Sequence, residues 1–486
     1  MARPAFTRVQ LIQFALGRAF YIMVALLVVE AALSGLTTYL IIHAGRDVAE
    51  EEFLLTDLIW ILAAQSASYA VGAISWIYAE RAGFGAYGKF MQRFARDNRH
   101  FTKLLHERGT REQVEPFLTG ETFHVFFESV YELDYQLKLL LGLIFNVIVF
   151  ATEIDVSMPI AYGAVFVVLF AMQWSMRKRA AYLYLDNQRM QNRMMAQGYT
   201  AWDNVFSGNR YNLRLWLAGF KSRLRDALAA QIRAIVTREG LSAASGIIGL
   251  AIIFATMVFV TVRNDGDTAL LIGLAATLPK QIELTHDVHA LSSGFNDMLA
   301  LWTRMSGVVS NMRPEPDPLF DTRIKFDMLA IKDGDAMHAC GSVDEALGIV
   351  LAQPTGRVHV RGGNGAGKST LLAALRSDLK NRAYYLPTSD RLAFNFLQNA
   401  PPPVDDDDEE EDEGPPPPPA AKLGFSSGER QLRSLQELVD HTEARIYLLD
   451  EWDANLDTHN RAKADAMVER LAARARVVEI SHRDRT

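Results

Sequence analysis

Cysteine is nearly missing from this chain. The 486 residues contain one, Cys340, so no intrachain disulfide can form and a reduced cytoplasmic setting suits the protein. Nor is there a basic stripe of the kind that tracks nucleic acid, and no nucleic-acid partner is expected. The net charge of −7 is moderate and owes much to one acidic run near residue 405, so it says little about partners. A cleavable secretory signal is also not evident. The first apolar run is long, contains Glu30 and lacks a small-residue cleavage site, so it reads as a retained membrane span.

The hydrophobic fraction of 49% conceals a split. Long apolar runs fill the first three hundred residues, whereas the remainder is charged and rich in Gly and Pro, and more than one domain is expected at this length. A spanning helix needs about 20 apolar residues to cross a hydrocarbon core of about 30 Å. The runs 19–44, 58–79 and 241–262 satisfy this, and 139–151 does so with flanking residues such as Tyr135 and Leu137. The run 157–174 follows after the acidic turn Glu153-Ile154-Asp155, and a sixth run begins near Thr268 and turns polar after Pro279.

Charge orients these runs, because Lys and Arg are retained on the cytoplasmic side. Arg3, Arg8 and Arg18 precede the first run, whereas the first loop holds Asp47, Glu50, Glu51, Glu52 and Asp57 against Arg46 alone. The connection 80–136 is again basic, the next turn acidic, and Arg177-Lys178-Arg179 opens a second basic connection, 175–240. The alternation places the N-terminus, both connections and the C-terminal domain in the cytoplasm of an inner-membrane protein. Both connections are helical in pattern and low in Pro, which predicts spanning helices that continue beyond the bilayer, with amphipathic surface helices as the alternative. The expected membrane domain is 1–312. Within it Glu30, and Lys280, Glu283 and Asp287 along one helical face, are candidates for a polar substrate path or for a structural ion-pair network.

The domain 313–486 carries its chemistry in order. Arg357-Val358-His359-Val360 reads as a strand, followed by Gly362-Gly363-Asn364-Gly365-Ala366-Gly367-Lys368-Ser369-Thr370 and a helix from Leu371. This is the P-loop pattern for ATP. Glycines let backbone N–H groups close on the phosphates, Lys368 adds positive charge at the β/γ positions, and the Ser369 hydroxyl can ligate Mg²⁺. Ile446-Tyr447-Leu448-Leu449 reads as a buried strand closing on Asp450 and Glu451, the first suited to Mg²⁺ and the second to polarising an attacking water as general base.

Three further segments follow the same order. Phe425-Ser426-Ser427-Gly428-Glu429-Arg430-Gln431 resembles the signature of ABC ATPases, Ala454-Asn455-Leu456-Asp457 its D-loop, and Ile480-Ser481-His482-Arg483 its switch-histidine segment. The resemblance covers about 320–486 by motif and the membrane half by topology only. It implies a six-span α-helical membrane domain followed by an α/β P-loop ATPase, an exporter-type half-transporter acting as a head-to-tail homodimer. In such a dimer Ser426, Ser427, Gly428 and Glu429 would face ATP in trans, with Asp457 in the D-loop, and His482 would sense the γ-phosphate in cis. Asp450-Glu451-Trp452 and the compact ATPase are similar to exporters of cyclic peptides and siderophores, so a peptide-like or amphipathic cargo is expected.

The sequence also departs from that family. Tyr384-Tyr385-Leu386-Pro387 leads to Thr388 where the family's Q-loop has glutamine, and the adenine-stacking aromatic is open between Phe326 and His338. The interval between Lys368 and Ser427 is short and contains the acidic, proline-rich insertion 403–420, so the helical subdomain must be reduced. That insertion reads as a solvated loop, the alternative being an electrostatic latch to the basic connections. An ATP-binding membrane sensor without transport and a lipid flippase are the competing functional readings.

Overall fold

The computed structural model describes residues 7–50, 55–264, 267–388, 392–398, 426–454 and 456–481. The chain divides into two compact units. One holds Met1–Arg93 and Pro116–Met312, the other Phe94–Glu115 and Arg313–Thr486.

The first unit is helical. A short helix Arg8–Ala15 precedes α1 (Arg18–Ala49), α2 (Leu55–Asn98, whose last turn belongs to the other unit), α3 (Thr122–Glu153), α4 (Ser157–Gly198) and α5 (Arg210–Arg263). These five are long and apolar enough to cross a membrane, which marks a multi-pass membrane protein. Their lengths exceed what a bilayer needs. At about 1.5 Å per residue, the 54 residues of α5 extend about 80 Å, more than twice the hydrocarbon core. The acidic turn between α3 and α4 is closed from within, where Ser157 N–H donates to Asp155 Oδ1 at 2.7 Å, and from α1, where Arg46 Nη1 donates to Glu153 Oε2 at 2.8 Å. Pro159 sits in the first turn of α4, where a missing N–H costs nothing.

The sixth apolar run differs from the unbroken span the pattern implies. It is divided into α6 (Thr268–Ala276), capped by Asp267 on Leu270 N–H, and α7 (Leu278–Asn311). Pro279 has no N–H to continue the ladder, so the helix restarts at Leu278. Thr277 fills the break by donating its hydroxyl to Gly273 O at 3.1 Å, and Gln281 Nε2 donates to Thr277 Oγ1 at 3.0 Å. Neither half is among the helices that qualify as spans.

Packing in this unit uses small residues and a few buried polar pairs. Gly35 leaves room for Phe145 on α3, and close by Thr38 donates its hydroxyl to Asn146 Oδ1, both side chains buried. The long extensions of α4 and α5 run side by side, tied by Asn187 Nδ2 on Gln231 Oε1, Arg233 on Asp186 at 3.0 Å and Trp216 Nε1 on Gln197 O at 3.0 Å.

The second unit is built on a six-stranded sheet: β1 (Leu329–Asp333), β2 (Ala336–Ala339), β3 (Gly356–Gly362), β4 (Ala383–Leu386), β5 (Ile446–Asp450) and β6 (Arg476–Ile480). The order is β2-β1-β3-β6-β5-β4, antiparallel on the β2-β1-β3 side and parallel from β3 to β4. β5 and β6 are buried throughout, as central strands covered on both faces are, although β6 carries Arg476 and Glu479. Helices α8 (Val343–Leu351), α9 (Lys368–Leu379), α10 (Ser427–His441) and α11 (Thr458–Arg474) accompany the sheet. On α9, Leu371, Leu372, Leu375 and Leu379 are buried; at roughly 1.5–3 kcal/mol per fully buried side chain they fix the helix that follows the glycine loop. Between β4 and α10 the described residues hold one short helix, Asn395–Gln398, and the 403–420 insertion lies outside them.

Phe94–Glu115 joins this unit through specific contacts. Arg313 Nε donates to Asp97 Oδ2 at 2.8 Å, and Lys103 Nζ meets Asp321 Oδ1 at 2.8 Å. The Thr102 hydroxyl donates to Ala373 O on α9 at 3.0 Å, and Asp317 N–H donates to Glu107 Oε1 at 2.8 Å.

Candidate functional site

The glycine loop leaves β3 at the C-terminal ends of the parallel strands, the side on which open α/β sheets bind ligands. Gly365 and Gly367 have φ of +77° and +90°, a region other residues avoid. At Gly367 a Cβ would also sit 2.9 Å from Arg323 O, and at Gly362 2.7 Å from Met328 O. Asn364 and Ala366 complete the turn, Ala366 being buried. α9 begins at Lys368 and continues through Ser369 and Thr370, so its first N–H groups, with their positive end of the helix dipole, face the loop. Lys368 Nζ folds back on Gly362 O at 2.8 Å and Gly363 O at 3.3 Å. Those are bonds a phosphate oxygen can replace.

β5 delivers Asp450 to the same place, with β6 interposed between β3 and β5. Ser369 Oγ donates to Asp450 Oδ1 at 2.9 Å, so the two expected Mg²⁺ ligands adjoin. Asp450 is buried, and this desolvation pushes its carboxyl up to about 6, with Glu451 adding repulsion and Ser369 offsetting part of it. The carboxyl therefore lacks a full counter-charge, which is what a divalent cation supplies.

Glu451 has φ of +50° and its N–H donates to Ile480 O at 3.0 Å, so it turns out of the strand rather than continuing it. Gln431, on α10, donates Nε2 to Glu451 O at 3.1 Å, tying the expected signature helix to the second acid within one chain. Ser426 caps α10 by accepting from Glu429 N–H at 3.2 Å, and Ser427 is exposed at its first turn beside Gly428. Asp457 caps α11 through Asn460 N–H at 2.8 Å. His482 and Asn455 lie outside the described residues, while Ser481 Oγ donates to Asp453 Oδ2 at 2.8 Å.

Thr388 is not idle where glutamine is expected. Its hydroxyl donates to Asp450 O at 3.1 Å. Beside it the Tyr385 hydroxyl lies 3.4 Å from Asp450 Oδ2 and 2.7 Å from His106 Nε2, joining the Phe94–Glu115 segment to the Asp450 carboxyl. Burial pushes the Tyr385 hydroxyl well above its ordinary range and lowers His106, so both are neutral at pH 7. Phe326 packs against the sheet core that includes Ala366 of the glycine loop, next to Lys325, whose N–H donates to Ala366 O at 3.0 Å, whereas His338 is exposed on β2.

A buried charge network stands behind the two acids. Glu479 on β6 is fully buried, its Oε1 held by Arg357 Nη2 at 2.7 Å and facing His359 Nδ1 at 2.9 Å, its Oε2 by Trp452 Nε1 at 2.7 Å. Arg357 extends the network to Asp465 at 3.0 Å and Glu469 at 2.6 Å. The effect is to lock Trp452, and with it the turn that carries Glu451.

In the first unit Glu30 is buried and Lys138 Nζ lies 2.5 Å from its Oε1. Lys280 pairs with its helix neighbour Glu283 at 2.9 Å, with Asp287 one turn on and half-buried. A scan of protein-family models finds no match for the chain, and no curated protein matches it significantly.

Proposed function

We propose that the chain is the half-transporter of an ATP-driven ABC-type exporter, binding MgATP in its second unit and moving a peptide-like or amphipathic small molecule through its helical unit. The observation that carries this is the meeting of Ser369 and Asp450, 2.9 Å apart, at the mouth of a glycine loop whose lysine folds back on the carbonyls of Gly362 and Gly363. Gly362–Thr370 wraps the phosphates, Ser369 and Asp450 hold Mg²⁺, and Glu451 polarises the attacking water. Ser426 to Glu429 face the ATP of a second copy, because one chain carries one set of motifs and a closed two-fold pair is the default assembly. Asp457 and His482 complete the two interfaces. The bilayer is the other partner, with the N-terminus and the ATP unit on the cytoplasmic side of an inner membrane.

The test is ATP hydrolysis and flux by the full chain in proteoliposomes. Glu451→Gln should bind ATP as the parent does while losing hydrolysis by about a hundredfold or more. Hydrolysis that survives this change, or its absence from the parent protein, overturns the ATPase assignment. ATP binding without flux of any peptide or lipid probe favours the sensor, and flux of lipid alone the flippase.

A further inference from the structure

The helical unit carries an uncompensated negative charge at a place built to hold it. Glu30 on α1 is 9% exposed, and the small face of α2 packs against it. The Ser68 hydroxyl reaches Glu30 O, and a Cβ on Gly72 would stand 2.7 Å from Glu30 Oε1. Only glycine leaves room there for the carboxylate. From α3 come Asp134, 6% exposed, and Lys138 one helical turn later on the same face.

Two carboxylates thus share one ammonium. Lys138 Nζ is spent on Glu30 Oε1 at 2.5 Å, whereas Glu30 Oε2 and Asp134 Oδ1 are buried with no hydrogen-bond donor among the described residues. An unpartnered buried acceptor costs free energy, and a net charge inside spanning helices is expensive enough that it persists where a ligand uses it. What fits is one positive charge that also donates hydrogen bonds. An anion is repelled. A Ca²⁺-like ion needs six or more oxygens, and no group of metal-ligating side chains occurs among the described residues. A protonated amine has three donors and one charge, enough for both unpartnered oxygens. Lys138 is half-exposed at 53%, so the cluster is open on that side.

We infer that Glu30 and Asp134 form a binding site for the protonated amine of a cationic amphipathic ligand, with Lys138 as the internal cation it competes against. This rests on the transport reading only insofar as the ligand is the cargo.

The experiment uses two fluorescent probes that differ by one charge, dansylcadaverine and its N-acetyl derivative, bound at equilibrium to the full chain in detergent without ATP. The parent protein should prefer the amine by about tenfold, the worth of one charge-assisted hydrogen bond. Glu30→Gln and Asp134→Asn should each erase most of that preference, and Lys138→Met should raise it several-fold. Equal binding of the two probes, binding of neither, or a preference that survives Glu30→Gln overturns the site. Should Glu30→Gln fail to fold, a Lys138→Met protein with no gain in amine preference overturns it equally. ATP-driven uptake of the amine into proteoliposomes is then read separately. Preference without uptake keeps the site and shows that its ligand is not the cargo, whereas uptake without preference overturns the site and keeps transport.

Discussion

Asp450 is held in the folded protein at a cost that its replacement should release. Its carboxyl titrates at about 6 rather than the ordinary 3.8, chiefly because it is buried. A carboxyl raised in this way is protonated more readily when folded than when unfolded, so folding is penalised as pH rises from 3.8 to 6 and the full penalty stands above that window. Two pH units correspond to about 3 kcal/mol at pH 7.5, falling to about 1 kcal/mol at pH 4.5. Asp450→Asn keeps an acceptor for Ser369 Oγ but weakens the Tyr385 contact, which subtracts about 1 kcal/mol. The nucleotide-free variant should therefore gain about 2 kcal/mol at pH 7.5 and nothing at pH 4.5. For a unit of this size that raises the melting temperature of the second unit by roughly 4–8 °C at pH 7.5. Thermal unfolding of the full chain in detergent with EDTA, followed at both pH values, measures it. A variant that melts at or below the parent at pH 7.5, or a gain that does not shrink at pH 4.5, refutes the account.

Two other substitutions probe the surroundings. Tyr385→Phe deletes the hydroxyl between His106 and Asp450, and should raise the Mg²⁺ concentration needed for half-maximal hydrolysis several-fold at unchanged ATP affinity, read from Mg²⁺ titrations at saturating ATP. Arg357→Met strands the fully buried Glu479 and should destabilise the second unit by about 3–5 kcal/mol, with much of the loss recovered by adding Glu479→Gln, as thermal unfolding of single and double variants would show.

The glycine loop was readable because its geometry is local: Gly365 and Gly367 stand where only glycine adopts the required backbone, and Lys368 and Ser369 follow directly. Asp450 was readable because a run of buried strand residues must end somewhere, and its carboxyl falls at that end. The five qualifying helices were visible as apolar runs, and α3 does extend through Tyr135 and Leu137 to reach spanning length. Long-range pairings were not visible. His106 and Tyr385 are 279 residues apart, and no period or spacing brings a turn in a basic connection onto a strand of the sheet. The same holds for Asp134, an ordinary polar residue on its helix until Lys138 and Glu30 are set beside it. Glu479 did leave a signal: an acid inside a strand otherwise fit for burial, Arg476 to Ile480, calls for a cation on the neighbouring strand, and Arg357 is that cation. Pro279 marked where the sixth run turns polar, and the division into two helices at Thr277 was not read from it.

The membership of Phe94–Glu115 in the second unit has a consequence for synthesis. The segment emerges from the ribosome roughly two hundred residues before Arg313, the next part of its own unit. At about 5–20 residues per second it waits roughly 10–40 s for that neighbour, and longer for α9 and β4, whose Ala373 and Tyr385 receive Thr102 and His106. Until then Thr102, Lys103 and His106 have no partners to hold them. The second unit cannot finish folding domain by domain in chain order, and a fragment cut at Arg313 starts without a piece that belongs to it.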